Sequence, residues 1–181
     1  MNDGYEAPTV LLVDENDTLC TDLARGFAAR NYRTSVAHTG AAALAAAESL
    51  RPDYAVVDLK LPDQSGLRVL ARLMEIDPEM RVVVLTAHAS ISTAVEAIKL
   101  GAMHYLTKPA TADEIIAGFS RDHADPDVPV AERPMSPSRV EWEYINRVLL
   151  AYRGNISATA RALSLHRRTL QRKLAKHAVR T

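Results

Sequence analysis

The stretch YAVVDLKLPDQSG, residues 54–66, places a charge, a proline and a glycine directly after an apolar run. Tyr54 to Val57 have strand character, and the run ends in a single carboxylate, Asp58. A charge that is buried without a partner costs folding free energy, so a buried strand needs a reason to end on one. We therefore expect Asp58 either to cap a turn or to lie at an open edge of the fold where something binds it.

Segments of the same kind recur along the chain and alternate with helical patterns. Short runs rich in Val, Leu and Tyr predict five strands, at residues 9–13, 33–37, 54–58, 81–86 and 103–107. Apolar residues at helical spacing lie between them, in the stripes Leu19–Leu23–Phe27, Leu67–Leu70–Leu73 and Ile91–Val95–Ile98. Strands that alternate with helices predict an α/β fold, a doubly wound parallel sheet of strand order 2-1-3-4-5.

Polar residues stand at four of the predicted strand ends, which meet at one edge of such a sheet, where ligands bind. They are Asp14 and Glu15 after the first strand, Asp58 in the third, Thr86 in the fourth and Lys108 after the fifth. Close carboxylates repel one another unless a cation joins them, and oxygen ligands suit Mg²⁺, so we expect a magnesium site. A carboxylate there can accept a phosphoryl group, while the ammonium and the hydroxyl hold its oxygens.

Each of these residues also has an ordinary structural explanation. An Asp or Asn at a strand end is often the N-cap of the next helix, a role open to Asp14, Asn16 and Asp17. The joint placement of polar residues on four separate strand ends is what favours a site.

The location of the protein is predicted from what its sequence lacks. No apolar run is long enough to span a bilayer, and the N-terminus, MNDGYEAP, has no signal-peptide pattern. Cys20 is the single cysteine, so there is no disulfide framework, and its place on the first apolar stripe predicts a buried thiol. We expect a cytoplasmic protein without a membrane partner.

Charge is distributed unevenly, although the net charge is zero. Residues 138–181 contain ten Lys and Arg and two acidic residues, whereas the preceding 137 residues contain twelve basic and twenty acidic ones. Residues 121–137 hold four prolines and no apolar period, which predicts a linker. The next helix is predicted to begin at Ser136 or Ser138 and to end at Gly154. A basic segment beside an acidic domain is typical of a nucleic-acid-binding module.

The last helical segment, residues 167–177, has the pattern of a recognition helix. Leu170 and Leu174 define its inward face, and Arg168 and Arg172 point directly away from it. Exposed Arg and Gln can donate hydrogen bonds to base edges in the major groove of double-stranded DNA, whereas the plainer alternative is a solvated basic face. The candidate DNA contacts are Arg167, Arg168, Thr169, Gln171, Arg172, Lys173 and Lys176.

Four motifs, LLVDEND, YAVVDLKLPDQSG, VVVLTAHAS and GAMHYLTKPA, together resemble the receiver domain of two-component response regulators over residues 9 to about 119. The resemblance implies that Asp58 is the phosphoacceptor for a sensor histidine kinase. It implies Mg²⁺ ligands at Asp14, Glu15, Asp58 and the backbone carbonyl of Lys60, with an Asp–Glu pair where Asp–Asp is common. Lys108 would contact the phosphoryl group, Thr86 and Tyr105 would move together as a switch, and the Lys108–Pro109 bond would be cis.

The basic module resembles the Fis-type helix-turn-helix over residues 154–174, GNISATARALSLHRRTLQRKL. Ser164 stands where the turn often has Gly, and His166 stands where the N-cap is often Ser. The whole layout resembles the RegA/PrrA/ActR/RoxR group of redox-responsive regulators, which implies control of respiratory genes. The sequence shows no redox-sensing chemistry, so sensing would belong to the partner kinase.

We therefore expect a DNA-binding response regulator, not an enzyme, that acts as a homodimer on DNA. Its domains would be a flavodoxin-like receiver at 1–120, a linker at 121–137 and an all-α helix-turn-helix domain at 138–181. One alternative is a nucleoid-type architectural protein whose receiver only dimerises. Another is an FMN-binding flavodoxin-like enzyme, which would need a Ser-, Thr- and Gly-rich phosphate loop where this chain has the acidic DENDTLC.

Overall fold

The computed structural model of this chain describes residues 7–120, 137–152 and 154–177. The predicted strands are present as β1 (Thr9–Val13), β2 (Arg33–Ala37), β3 (Tyr54–Val57), β4 (Arg81–Thr86) and β5 (His104–Thr107). They form one parallel sheet of order β2-β1-β3-β4-β5, which confirms the predicted fold class and topology. Asp58 lies one residue beyond the end of β3, so the charge stands outside the buried strand.

Five helices connect and flank the strands: α1 (Asp17–Ala28), α2 (Gly40–Leu50), α3 (Gly66–Ile76), α4 (Ile91–Lys99) and α5 (Ala112–Phe119). Each begins after a polar N-cap whose side chain accepts a backbone N–H of the first turn. The cap of α1 is Asn16, whose side chain accepts the Leu19 N–H at 3.1 Å. The carboxylate of Asp14 is therefore not used as a helix cap.

Both faces of the sheet are buried, as a parallel sheet with helical crossovers requires. Successive residues of β1 face opposite sides: Val10 and Leu12 belong to the cluster covered by α1 and α5. Leu11 and Val13 belong to the cluster covered by α2, α3 and α4. The sheet is thereby held rigidly between two helical layers, and its C-terminal edge positions the polar side chains that follow the strands.

One predicted stripe does not face the core. Ile91, Val95 and Ile98 of α4 are 86%, 46% and 51% exposed, although their spacing is the same as that of the buried stripes. The helix packs through the small residue Ala97, which is fully buried. The reason is that apolar spacing defines a face of a helix but does not show which face meets the sheet.

The chain divides into two compact units, Met1–Ala124 and Asp125–Thr181. The second unit contains α6 (Pro137–Ala151), α7 (Ile156–Ala162) and α8 (Arg167–His177). Its small core consists of Ile145, Ala160 and Leu170, with Leu174 among the side chains packed against it. The predicted linker up to residue 136, including Ser136, lies outside the described residues.

Turns in the second unit use left-handed backbone conformations. Gly154, at φ +77°, follows α6 as predicted, and its N–H donates to the Leu149 carbonyl at 2.8 Å. Ser164, at φ 52°, occupies the turn between α7 and α8 where a glycine would be unstrained. Of the helices within the described ranges, none is long and apolar enough to cross a bilayer.

Candidate functional site

Two carboxylates and one ammonium meet at the C-terminal edge of the sheet. Lys108 Nζ lies 2.5 Å from Asp14 Oδ2 and 2.6 Å from Asp58 Oδ2. Asp14 and Asp58 are each only 6% exposed. Two buried carboxylates therefore share a single cation, which leaves the cluster with a net negative charge.

Burial and hydrogen bonding act in opposite directions on Lys108. Burial by itself would lower its pKa, but hydrogen bonds to Asp14 and Asp58 outweigh burial and raise the pKa above that of an ordinary lysine. The lysine backbone is held as well, because its N–H donates to the Thr86 carbonyl at 2.9 Å. The Lys108–Pro109 peptide is cis, as the resemblance implied. The ammonium is thus charged and held at a defined place.

The backbone holds both carboxylates at the sheet edge. The Asp14 N–H donates to the Ala37 carbonyl at 3.1 Å, and the Asp58 N–H donates to the Val13 carbonyl at 2.9 Å. Each bond extends the hydrogen-bonding pattern of the sheet one residue past the end of a strand. The two carboxylates are therefore placed by the sheet itself and not by a loose loop.

The oxygens of the two carboxylates have different partners. Asp14 Oδ1 accepts the Asn16 N–H at 2.9 Å, so both Asp14 oxygens make short hydrogen bonds. Asp58 Oδ1 accepts the Lys60 N–H at the longer distance of 3.3 Å. Asp58 consequently offers the more available oxygen of the pair.

Gly66, at the start of α3, is required by its contact with Asp58. A Cβ at position 66 would lie 2.0 Å from the Asp58 carbonyl oxygen. The Gly66 N–H donates to the Leu59 carbonyl at 2.8 Å, which closes the loop after β3. The sequence motif ended in this glycine, but only the structure shows that it touches the backbone of Asp58.

The remaining candidate residues of the receiver lie on or directly after the same strands. The hydroxyl of Thr86 is fully buried and accepts the His88 N–H at 3.1 Å. Tyr105 is half-buried, and its hydroxyl lies 2.8 Å from Thr93 Oγ1. Glu15 lies on the same edge, but its side chain is exposed.

The donor set at this edge fits a hard cation. It consists of oxygen donors: the carboxylates of Asp14 and Asp58, the exposed carboxylate of Glu15 and the backbone of Lys60. Within the described ranges, no three His, Cys, Asp or Glu side chains already converge into a metal site. The two buried carboxylates are instead drawn to Lys108, so metal binding would require them to share their oxygens with the ion.

Cys20 is buried beside this site. Burial, reinforced by the nearby charge of Asp14, raises the thiol pKa to about 11. Its Sγ lies 3.7 Å from the Asp14 carbonyl oxygen. The prediction of a buried thiol is confirmed.

The exposed face of α8 has the predicted orientation. Leu170 is fully buried and Leu174 packs beside it, while Arg168 and Arg172 are exposed. Of the other candidate contacts, Arg167 and Gln171 are exposed, Thr169 and Lys173 are half-buried, and the Lys176 side chain lies outside the described part.

Lys173 has a partner within its own unit that the sequence did not predict. Its Nζ lies 2.6 Å from Glu141 Oε1 on α6. A DNA phosphate would have to compete with this carboxylate for the lysine. The sequence analysis named Lys173 as a candidate DNA contact, but helical periodicity could not show a partner 32 residues earlier.

Comparisons with known proteins match both units. Residues 10–119 match the family model described as response regulator receiver domain, and residues 136–177 match the model described as bacterial regulatory protein, Fis family. The chain is 47% identical over 173 residues to the photosynthetic apparatus regulatory protein RegA of Rhodobacter capsulatus, covering 95% of this chain and 93% of that protein. It is 44% identical over 170 residues to the acid tolerance regulatory protein ActR of Rhizobium meliloti, covering 94% and 87%.

A solved structure is similar over almost the same length. It is a response regulator from Burkholderia pseudomallei with a phosphorylated aspartic acid, a calcium ion and citrate. That protein is 44% identical, superposes with a TM-score of 0.64, and is matched over 92% of this chain and 98% of its own.

These likenesses extend over nearly the whole chain and agree with the two units of the structure. The matched families are those of transcriptional regulators, which disfavours the FMN-binding alternative. The chain belongs to the DNA-binding response regulators of two-component systems, with a receiver domain followed by a Fis-family helix-turn-helix, in the group that includes RegA and ActR.

Proposed function

We propose that this regulator accepts a phosphoryl group on Asp58 and that this modification controls DNA binding by α8. The observation that carries the assignment is the ammonium of Lys108, held 2.5 Å from Asp14 Oδ2 and 2.6 Å from Asp58 Oδ2. Asp58 is the better nucleophile of the two, since its Oδ1 makes only the longer hydrogen bond to Lys60 described above. A carboxylate that attacks phosphorus forms an acyl phosphate, the covalent intermediate expected of this group.

The phosphoryl donor would be a phosphohistidine of a sensor kinase. An Asp58 oxygen attacks phosphorus, the new P–O bond forms as the P–N bond breaks, and the leaving imidazole keeps the electron pair and takes up a proton. Lys108 exchanges its hydrogen bond to Asp58 for one to a phosphoryl oxygen and acts as a point charge. The buried hydroxyl of Thr86 can donate to another phosphoryl oxygen.

Asp14, Glu15, Asp58 and the backbone carbonyl of Lys60 would hold Mg²⁺. When bound, the ion neutralises charge on the phosphoryl oxygens. The support for this set is that Asp14 and Asp58 share one ammonium and retain a net negative charge. Glu15 directly follows Asp14 in the chain, and its exposed side chain is accessible to an ion from solvent.

We further propose that α8 binds the major groove of double-stranded DNA and that the protein acts as a homodimer on two-fold sites. Exposed Arg168 and Arg172 suit bidentate contacts with guanine, and a dimer presents two such helices one helical turn apart. The names of RegA and ActR concern the photosynthetic apparatus and acid tolerance. We propose redox and respiratory genes as the targets of this chain.

Phosphate-dependent DNA binding tests this function. Full-length protein would be incubated with acetyl phosphate and Mg²⁺, and its occupancy of sheared genomic DNA would be compared with that of untreated protein. We expect treatment to increase occupancy at a limited set of sites for wild type and for Glu48→Gln, an exposed control on α2, but not for Asp58→Asn. Occupancy that treatment leaves unchanged for wild type would favour the architectural alternative.

A further inference from the structure

A second acidic side chain of the β3–α3 loop is bound to the start of another helix. Asp63 Oδ1 accepts the Gly40 N–H at 2.8 Å, and Oδ2 accepts the Ala41 N–H at 2.9 Å. These N–H groups are the first two of α2 and have no partner within the helix. Both hydrogen bonds lower the pKa of Asp63, and the bond from the Gly40 N–H has the larger effect. The carboxylate therefore stays ionised at neutral pH.

The contact is close as well as polar. The Gln64 side chain lies directly over Gly40, where a Cβ would be 2.3 Å from Gln64 Nε2. The third N–H of the helix, that of Ala42, is bound by the side chain of the N-cap Thr39 at 3.1 Å. The first two N–H groups of α2 are therefore bound by Asp63 from a different loop, and Gln64 of that loop packs against Gly40.

The loop that carries Asp63 is closed on itself by backbone contacts. Lys60 and Ser65 form an antiparallel bridge, and the Gly66 N–H donates to the Leu59 carbonyl at 2.8 Å. Asp63 lies between the two bridge residues, so its attachment to α2 fixes the whole loop. Through that loop it also fixes Lys60, whose N–H donates to Asp58 Oδ1.

We propose that Asp63 is a positioning residue for the phosphoacceptor site. By anchoring the β3–α3 loop to the start of α2, it sets where the backbone of Lys60 stands relative to Asp58, and thereby the affinity of the site for a divalent cation. The proposal rests on the function proposed above for the Asp58 edge. It goes beyond that function because it assigns a role to a residue that touches neither the phosphoryl group nor the ion.

The test uses full-length protein and a probe that needs no phosphoryl donor. Binding of Mn²⁺ alone would be measured by electron paramagnetic resonance for wild type, Asp63→Ala and Asp63→Asn. The matched control is Asp113→Ala, since Asp113 is also exposed and its carboxylate is bound at both oxygens, by Arg30 at the other side of the receiver. Melting temperature in EDTA would be recorded for each variant.

We expect Asp63→Ala to weaken Mn²⁺ binding about tenfold, as the loss of an outer partner of a metal site typically does. Asp63→Asn keeps one acceptor oxygen and should recover part of that affinity. Asp113→Ala should lower the melting temperature without changing Mn²⁺ affinity. If Asp63→Ala and Asp63→Asn both bound Mn²⁺ as wild type does, the proposal would be overturned, whatever their melting temperatures.

The same variants separate this proposal from the function on which it rests. Mn²⁺ binding is measured without phosphorylation, so it reports on the loop even if the phosphoacceptor were another residue. The Mg²⁺ concentration that half-saturates labelling by acetyl phosphate should rise by the same factor in Asp63→Ala. A lower maximal labelling rate with an unchanged half-saturating concentration would also contradict the positioning role.

Discussion

Replacement of Lys108 by alanine removes the only ammonium within hydrogen-bonding distance of Asp14 and Asp58 among the described residues. Both carboxylates are nearly buried, with side chains 9% and 7% exposed, and Lys108 itself is 16% exposed. Removing one partner of a buried ion pair costs about 3–5 kcal/mol, because the other charge stays behind. The edge of the sheet allows some water to reach the carboxylates, so we expect a loss of about 3 kcal/mol in the free energy of unfolding.

The pH for this experiment follows from the lysine pKa. Because the pKa of Lys108 is raised in the folded protein, its stabilising contribution is complete below the pKa of an unfolded lysine. The contribution is lost only as pH rises through the higher folded value. Measurements at pH 7 therefore report the full effect.

The assay is urea unfolding of the full-length protein in EDTA. Far-UV circular dichroism follows both units, whereas fluorescence of the single tryptophan, Trp142 on α6, follows the helix-turn-helix unit alone. Lys60→Ala is the matched control, since Lys60 is an exposed lysine of the same edge. We expect the control to change stability by less than about 0.5 kcal/mol.

A double-mutant cycle isolates the interaction. In an Asp58→Asn background the lysine faces one carboxylate instead of two, so Lys108→Ala should cost at least about 1 kcal/mol less than in wild type. If Lys108→Ala lowered the free energy of unfolding equally in wild type and in Asp58→Asn, the ion pair shared by the two carboxylates could not be the basis of the site.

Three further predictions concern single residues. Arg168→Ala should cost about 1–3 kcal/mol on a specific DNA site and relax base preference, whereas an equal loss on random DNA would mean that α8 is oriented differently. Glu141→Gln removes the carboxylate that pairs with the partly exposed Lys173, so it should strengthen binding to any DNA by up to about fivefold and make the DNA affinity fall more steeply with salt concentration. An unchanged salt dependence of the affinity would mean that Lys173 contacts no DNA phosphate. Gly66→Ala should lower both melting temperature and labelling, because its Cβ would meet the Asp58 carbonyl; normal labelling would show that the loop can shift.

The sheet and its edge were predictable because both rest on local patterns. The apolar runs end at the polar residues that follow β1, β3 and β5, and the parallel topology brings those ends to one edge. The resemblance to receiver domains also implied a cis peptide bond at Lys108–Pro109, and the structure contains one.

The orientation of α4 and two side-chain contacts were not predicted, because they depend on residues that are distant in the sequence. The exposed stripe of α4 has the same spacing as a buried one, and only Ala97 shows which side meets the sheet. The partners Asp63 with Gly40 and Lys173 with Glu141 lie 23 and 32 residues apart, beyond the reach of any periodicity argument.

The most direct test of the central claim is to locate the phosphoryl group. Full-length protein treated with acetyl phosphate and Mg²⁺ would be reduced with borohydride, which converts an aspartyl phosphate into homoserine, and mapped by tandem mass spectrometry. Our account predicts homoserine at position 58 in wild type and its loss from Asp58→Asn without a gain elsewhere. Conversion of Asp14, or undiminished labelling of Asp58→Asn, would contradict it.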